Sequence, residues 1–138
     1  MTSVTGTHET GRTHNDVILF WSQEIIQNFF LQKITQTFKN IQKIYFGYAK
    51  LSTITKYDLQ PFGSQLKTFW FKNNNFEAIE SDLFEFTPNL EFIELQGNQI
   101  KYVGIGALSN LKKLTTLNFR GNPCHSGNAY HTSMVITL

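Results

Sequence analysis

Leu66-Lys67-Thr68-Phe69-Trp70-Phe71-Lys72-Asn73-Asn74-Asn75-Phe76 returns 24 residues later as Leu90-Glu91-Phe92-Ile93-Glu94-Leu95-Gln96-Gly97-Asn98-Gln99-Ile100. Both stretches carry apolar residues at their first, fourth, sixth and eleventh places and Asn at the ninth. A third copy starts at Leu114 and runs through Leu117, Phe119, Asn122 and Cys124; a fourth starts at Ile41, 25 residues before Leu66, with Ile44, Phe46, Ala49, Leu51 and Ile54. The linking halves align too, because Asp58-Leu59-Gln60-Pro61-Phe62 matches Asp82-Leu83-Phe84-Glu85-Phe86. One phase kept over four units is the signature of a repeat architecture.

The spacing has a physical reading. Each unit forms a short strand, runs back along the outside and returns one strand spacing further on, about 4.8 Å. The apolar places point inward and stack on their counterparts, since a single unit cannot bury that face alone. Where the strand bends into the loop, backbone groups leave the ladder. An inward Asn can donate to one carbonyl and accept from an amide of the next coil. Asn74, Asn98 and Asn122 are therefore expected to form a structural ladder, each bond contributing about 1 kcal/mol. Ala49 interrupts that ladder, and the same unit holds one extra residue, so this coil is expected to be looser.

These residues resemble the leucine-rich-repeat family, whose unit reads L-x-x-L-x-L-x-x-N-x-L. The resemblance runs from about Val17 to Cys124. It implies an α/β solenoid: a right-handed superhelix with a short parallel sheet on the concave face and irregular or short helical convex segments. The expected organisation is a polar, mobile tail over 1–16, an N-terminal capping strand and cap over 17–40, repeats at 41–65, 66–89 and 90–113, and a last strand with an incomplete C-terminal cap over 114–138. The 24-residue period and the aromatic Phe84 look like the extracellular subclass. The Phe-rich repeats, in a chain with 13 Phe, and the Gly121-Asn122-Pro123-Cys124-His125 ending are similar to small secreted insect members. Ala49 in place of Asn, the extra residue and Leu108 in place of an aromatic depart from the pattern.

The ends carry two expectations. Val17 to Ser22 reads as a capping strand, with Ile25 to Phe30 covering the open core. The family resemblance implies a partner for Cys124 further along, yet no second Cys follows. Either Cys124 fills the eleventh place as a buried apolar residue, or the chain is an incomplete copy of a secreted protein; the absent signal sequence and absent Cys favour the second. Read literally, a chain without a signal is cytoplasmic. An incomplete cap would leave the C-terminal end under-covered and prone to self-association.

In the strands, alternate side chains face away from the core and line the concave sheet. The fifth place reads Trp21, Tyr45, Trp70, Glu94 and Asn118; the third holds Lys43 and Phe92; the seventh holds Lys72 and Arg120. Large aromatics on an open sheet are costly unless covered, and Trp and Tyr anchor interfaces. Trp21, Tyr45, Trp70 and Phe92 are thus candidate anchors for a protein or pathogen-derived ligand. Lys43, Lys72, Glu94 and Arg120 form a mixed rim able to set orientation. The competing reading is that cross-strand aromatic pairs only stiffen the sheet.

No catalytic constellation is visible. The net charge of +2 is too small to argue for nucleic acid, and no apolar run approaches the ~20 residues of a membrane span. His8 and His14 lie in the polar tail. His125 and His131 beside Cys124 lack a fourth ligand, so neither metal nor cofactor is expected. Glu77, Glu80, Asp82 and Glu85 read as a solvated outer loop. The expectation is a non-catalytic binding module in an extracellular setting, the alternatives being an intracellular scaffold of the same architecture or a fragment without an independent role.

Overall fold

The computed structural model describes residue 13, the backbone of Leu19–Ser22, residues 34–123 and the backbone of Val135–Thr137. The strands in chain order are β1 (Leu19–Ser22), β2 (Lys43–Phe46), β3 (Thr68–Trp70), β4 (Ala78–Ile79), β5 (Phe92–Glu94), β6 (Tyr102–Val103), β7 (Thr116–Asn118) and β8 (Val135–Thr137). Six form one sheet in the order β1-β2-β3-β5-β7-β8, and β4 pairs with β6 in a second sheet built from the outer halves of two units.

The pairing reproduces the repeat. Lys43 pairs with Thr68, Thr68 with Phe92 and Phe92 with Thr116, all in parallel. Residues separated by one period therefore sit side by side, and Leu66, Leu90 and Leu114 stack as the sequence predicts. The first, fourth and sixth places of the described repeat units are all buried in one core. This is an α/β solenoid of the leucine-rich-repeat kind, with few short helices.

Phe takes the place of Leu in this core. Phe71 stacks on Phe69 at 4.1 Å between centroids and lies 4.9 Å from Phe46 of the preceding coil. Phe84 meets Phe69 edge-on at 5.4 Å, so the outer half of a unit closes on the strand half. Such contacts add to the roughly 1.5–3 kcal/mol gained by burying each large side chain.

The extra residue of the first unit falls between Ile54 and Asp58. The chain there forms the short helix Lys56–Leu59, whereas the next two units make turns. The Asp58 carboxylate accepts from both the Thr55 N–H and the Thr55 hydroxyl, which fixes the helix start. The insertion is thus absorbed on the convex side, and the strand register is kept. Ala49 is fully buried, and its N–H and that of Leu51 both donate to Asn74 Oδ1. The coil expected to be loose is tied down by its neighbour's Asn.

Two backbone features were not anticipated. The eighth place adopts positive φ in all four units, at Tyr48, Asn73, Gly97 and Gly121, with φ between 54° and 71°. In the outer segment, a Cβ on Gly104 would lie 2.4 Å from the Ser81 backbone nitrogen, so adjacent coils can approach there only with glycine.

The C-terminal end departs from expectation. β8 pairs antiparallel with β7, matching Thr137 to Thr116 and Val135 to Asn118. The edge of β7 is therefore covered by the returning chain, because an antiparallel return satisfies its free N–H and C=O groups. Residues 25–30, Cys124, His125 and His131 lie outside the described residues.

Candidate partner-binding face

Three- and four-residue strands in strict register bring the fifth places into one row across the sheet. Tyr45 pairs with Trp70, Trp70 with Glu94, and Glu94 with Asn118. Trp21 of β1 pairs with Tyr45 at the backbone, so the row extends to a fifth strand. The sequence neighbours of Tyr45, Trp70, Glu94 and Asn118 point inward, and this alternation separates the core from the open face.

Trp70 is the best-seated member. Its ring lies over Gly47 of the preceding coil, where an added Cβ would come within 3.2 Å of Trp70 Cζ3. The Tyr45 ring of that same coil has its centroid 5.6 Å away at a tilt of 32°. The indole is half-buried and packed against the preceding coil without leaving the surface. Phe92 is half-buried on the same face, in register with Thr68 and Thr116.

The charged residues divide. Lys43 and Lys72 are half-buried, Arg120 is exposed, and none of the three pairs with a carboxylate among the described residues. Glu94 behaves otherwise. It is only 8% exposed, its Oε1 accepts the Gln96 N–H at 2.9 Å, and its Oε2 accepts from Asn118 Nδ2 at 2.9 Å. Asn118 Oδ1 in turn accepts the Arg120 N–H. Glu94 is therefore a fixed part of the sheet surface more than a mobile rim charge.

The outer side of the solenoid treats charge differently. Lys56 Nζ lies 2.6 Å from Glu85 Oε2 and 3.0 Å from Asp82 Oδ2. It also sits over the Tyr57 and Phe86 rings at 5.5 and 5.8 Å. The Glu85 carboxylate, and after it that of Asp82, holds this ammonium above the ordinary lysine range. Lys101 meets Glu77 at 3.5 Å, and at the head of the main sheet, just before β3 and β5, Lys67 meets Glu91 at 3.9 Å. Each pair links adjacent coils, so three members of the expected outer acidic set, Glu77, Asp82 and Glu85, act as coil-to-coil ties.

The ladder residues have a structural part. Asn98 Nδ2 donates to Phe71 O and Leu95 O, and its Oδ1 accepts the Phe76 N–H. Asn122 repeats this with Leu95 O, Phe119 O and the Ile100 N–H, and Asn74 with Phe46 O and Lys72 O. The amides served belong to the preceding coil, not the next one, because each side chain reaches back across the bend. All three are buried and leave no donor free to face a ligand.

Sequence alternation missed Tyr48. It stands 63% exposed at the end of β2 with φ 57°, and its N–H donates to Lys72 O. A tyrosine in left-handed backbone is uncommon. The signal was present in the sequence, since the equivalent places hold Asn73, Gly97 and Gly121, all residues that accept that conformation. Among the described residues, no group of His, Cys, Asp and Glu is arranged to hold a metal ion, and no helix is long and apolar enough to cross a membrane.

The leucine rich repeat family matches residues 64–123. The chain is also similar to a protein of Caenorhabditis elegans named probable U2 small nuclear ribonucleoprotein A', 35% identical over 86 residues. That alignment takes in 62% of this chain and 34% of the relative, so the chain spans about a third of the protein it matches. Neither match supports an extracellular subclass or a likeness to insect proteins. The family match agrees with the geometry: a leucine-rich repeat occupies the stretch that builds β3, β5 and β7.

Proposed function

We propose that this protein is a non-catalytic binding module that holds a protein partner on its concave sheet, with Trp70 and Tyr45 as the anchors. One observation carries the reading. Trp70 is seated on Gly47 and flanked by Tyr45, yet stays on the outer surface of the sheet. A rigid, half-open indole at the centre of a curved face is the arrangement that supplies most of the energy at protein interfaces. Phe92 extends the aromatic row, Trp21 holds the next register place on the backbone of β1, and Lys43, Lys72 and Arg120 border it. The leucine-rich repeat supports protein binding as the activity.

The setting is the second part of the proposal. A relative named for a small nuclear ribonucleoprotein supports an intracellular scaffold over an extracellular receptor for pathogen-derived ligands. The test compares partners recovered with the wild-type chain, Trp70→Ala, and Tyr102→Ala on the opposite side. Partners that need Trp70 and ignore Tyr102 support the concave face. Partners that need Tyr102 and ignore Trp70 move the site to the convex side and end this reading.

A further inference from the structure

We infer that the concave face takes an acidic protein segment, its carboxylates meeting Lys43, Lys72 and Arg120 while its apolar side chains cover Tyr45, Trp70 and Phe92. The inference rests on the concave face being the binding face and adds the chemistry of the partner.

Charge placement carries it. The outer lysines Lys56 and Lys101 each meet a carboxylate of a neighbouring coil, as does Lys67 just before β3, whereas the exposed Lys112 and Lys113 meet none among the described residues. The concave cations meet none among the described residues. Among the described residues the face holds one carboxylate against these three positive groups, Glu94, whose two oxygens already accept hydrogen bonds from Gln96 and Asn118. The surface is left with unanswered positive charge around an aromatic centre, and complementary charge selects and orients partners.

The spacing describes the segment. Lys43 is in register with Thr68, four residues before Lys72, which puts the two cations about 13 Å apart along the strand direction. Arg120 lies two strands beyond Lys72, a further ~10 Å across the sheet. Acidic groups separated by several neutral residues fit this layout.

A nucleic-acid strand fits it poorly. A base inserted between two rings needs two van der Waals separations, roughly 7 Å or more, and Tyr45 and Trp70 stand 5.6 Å apart. A strand also carries a negative charge at every nucleotide, whereas a peptide can pass Glu94 with a neutral side chain.

The test uses three labelled probes on the full chain: a short synthetic peptide with Glu at every fourth residue and Leu, Phe and Ser between, its twin with Gln for every Glu, and an oligouridine. Fluorescence anisotropy at low salt should show the acidic peptide bound at least about tenfold more tightly than the Gln twin, with the gap closing at about 0.5 M salt. Lys43→Gln with Lys72→Gln should erase the preference, and Lys112→Gln with Lys113→Gln should keep it, both pairs retaining the wild-type circular dichroism. Equal binding of the twins, no binding of the acidic peptide, or displacement of it by oligouridine overturns the inference. Trp70→Ala separates the two levels. If the twins bind equally but both need Trp70, the concave face stands and only the acidic partner falls; if neither needs Trp70, both fall.

Discussion

The two sides of the same strands obey different rules. The inward side, at Ile44, Phe69, Ile93 and Leu117, is sealed, and Asn74, Asn98 and Asn122 satisfy the backbone where the chain bends. The outward side keeps Tyr45, Trp70, Phe92, Lys43 and Lys72 only half-buried. Packing one side to completion relieves the other of most of the duty to stability, Glu94 with its two hydrogen bonds being the exception. Stability and recognition can then be altered separately, residue by residue along one strand, and each prediction below tests that separation.

The largest effect is expected at Phe71. It touches Phe46, Phe69 and Phe76, and Phe71→Ala leaves a cavity that several aromatic neighbours cannot close. A loss of about 3–5 kcal/mol of unfolding free energy is expected by urea denaturation. Asn98→Ala comes next. It strands the Phe76 N–H and removes a donor from Phe71 O and Leu95 O, for a loss of about 2–3 kcal/mol. In both variants, binding of any partner to the fraction still folded should be unchanged. A folded Asn98→Ala protein with weakened binding would break the division between the sides.

Most of the inward side was legible in the sequence, and much of the outward side was not. Leu66, Leu90 and Leu114 announce their stacking because burial demands an apolar residue at every period, and the ladder Asn residues do so because a buried bend demands an amide. Glu94 gave no such sign. Its burial depends on Asn118 one coil away and on the Gln96 N–H, neither of which leaves a periodic trace. Lys56 reaches Asp82 and Glu85 at separations of 26 and 29 residues, offsets that a strict 24-residue comparison passes over. Tyr48 was hidden for another reason: alternation counts side-chain directions and takes no account of φ. The return of β8 against β7 is antiparallel and falls outside the repeat altogether.

On the open side, Trp70→Ala should lower stability by only about 1 kcal/mol, the value of a cross-strand aromatic pair. Partner affinity should fall by at least about 2 kcal/mol, read by titration calorimetry. A stability loss like that of Phe71→Ala would mean that the indole belongs to the core, and the separation would fail at its centre. Gly47→Ala sharpens the point without touching the indole's chemistry. The new Cβ at 3.2 Å from Cζ3 makes the ring shift by a few tenths of an ångström on its seat. Affinity should drop by about 1 kcal/mol, with a shift in tryptophan emission as the sign that Trp70 has moved.

The smallest effect is expected on the outer side, at Lys56. Its ammonium is held by Glu85 and Asp82, but the site is reached by solvent, and exposed ion pairs contribute little. Lys56→Met keeps the aliphatic contact with Tyr57 and Phe86 and removes the charge. The melting temperature should fall slightly at low salt and match wild type at high salt, where the pair is screened. The pH dependence has a definite sign. The folded value lies above 10.5, so the lysine's stabilisation is complete below that pH and is lost only as pH rises through the folded value. Between pH 6 and 9, wild type and Lys56→Met should therefore differ by a constant offset on this account. Partner binding should not change at all, because the tie joins two coils on the face turned away from Trp70. If Lys56→Met weakened binding as much as Gly47→Ala, the curvature set by the outer ties would be shaping the concave face, and the two sides could no longer be treated as independent.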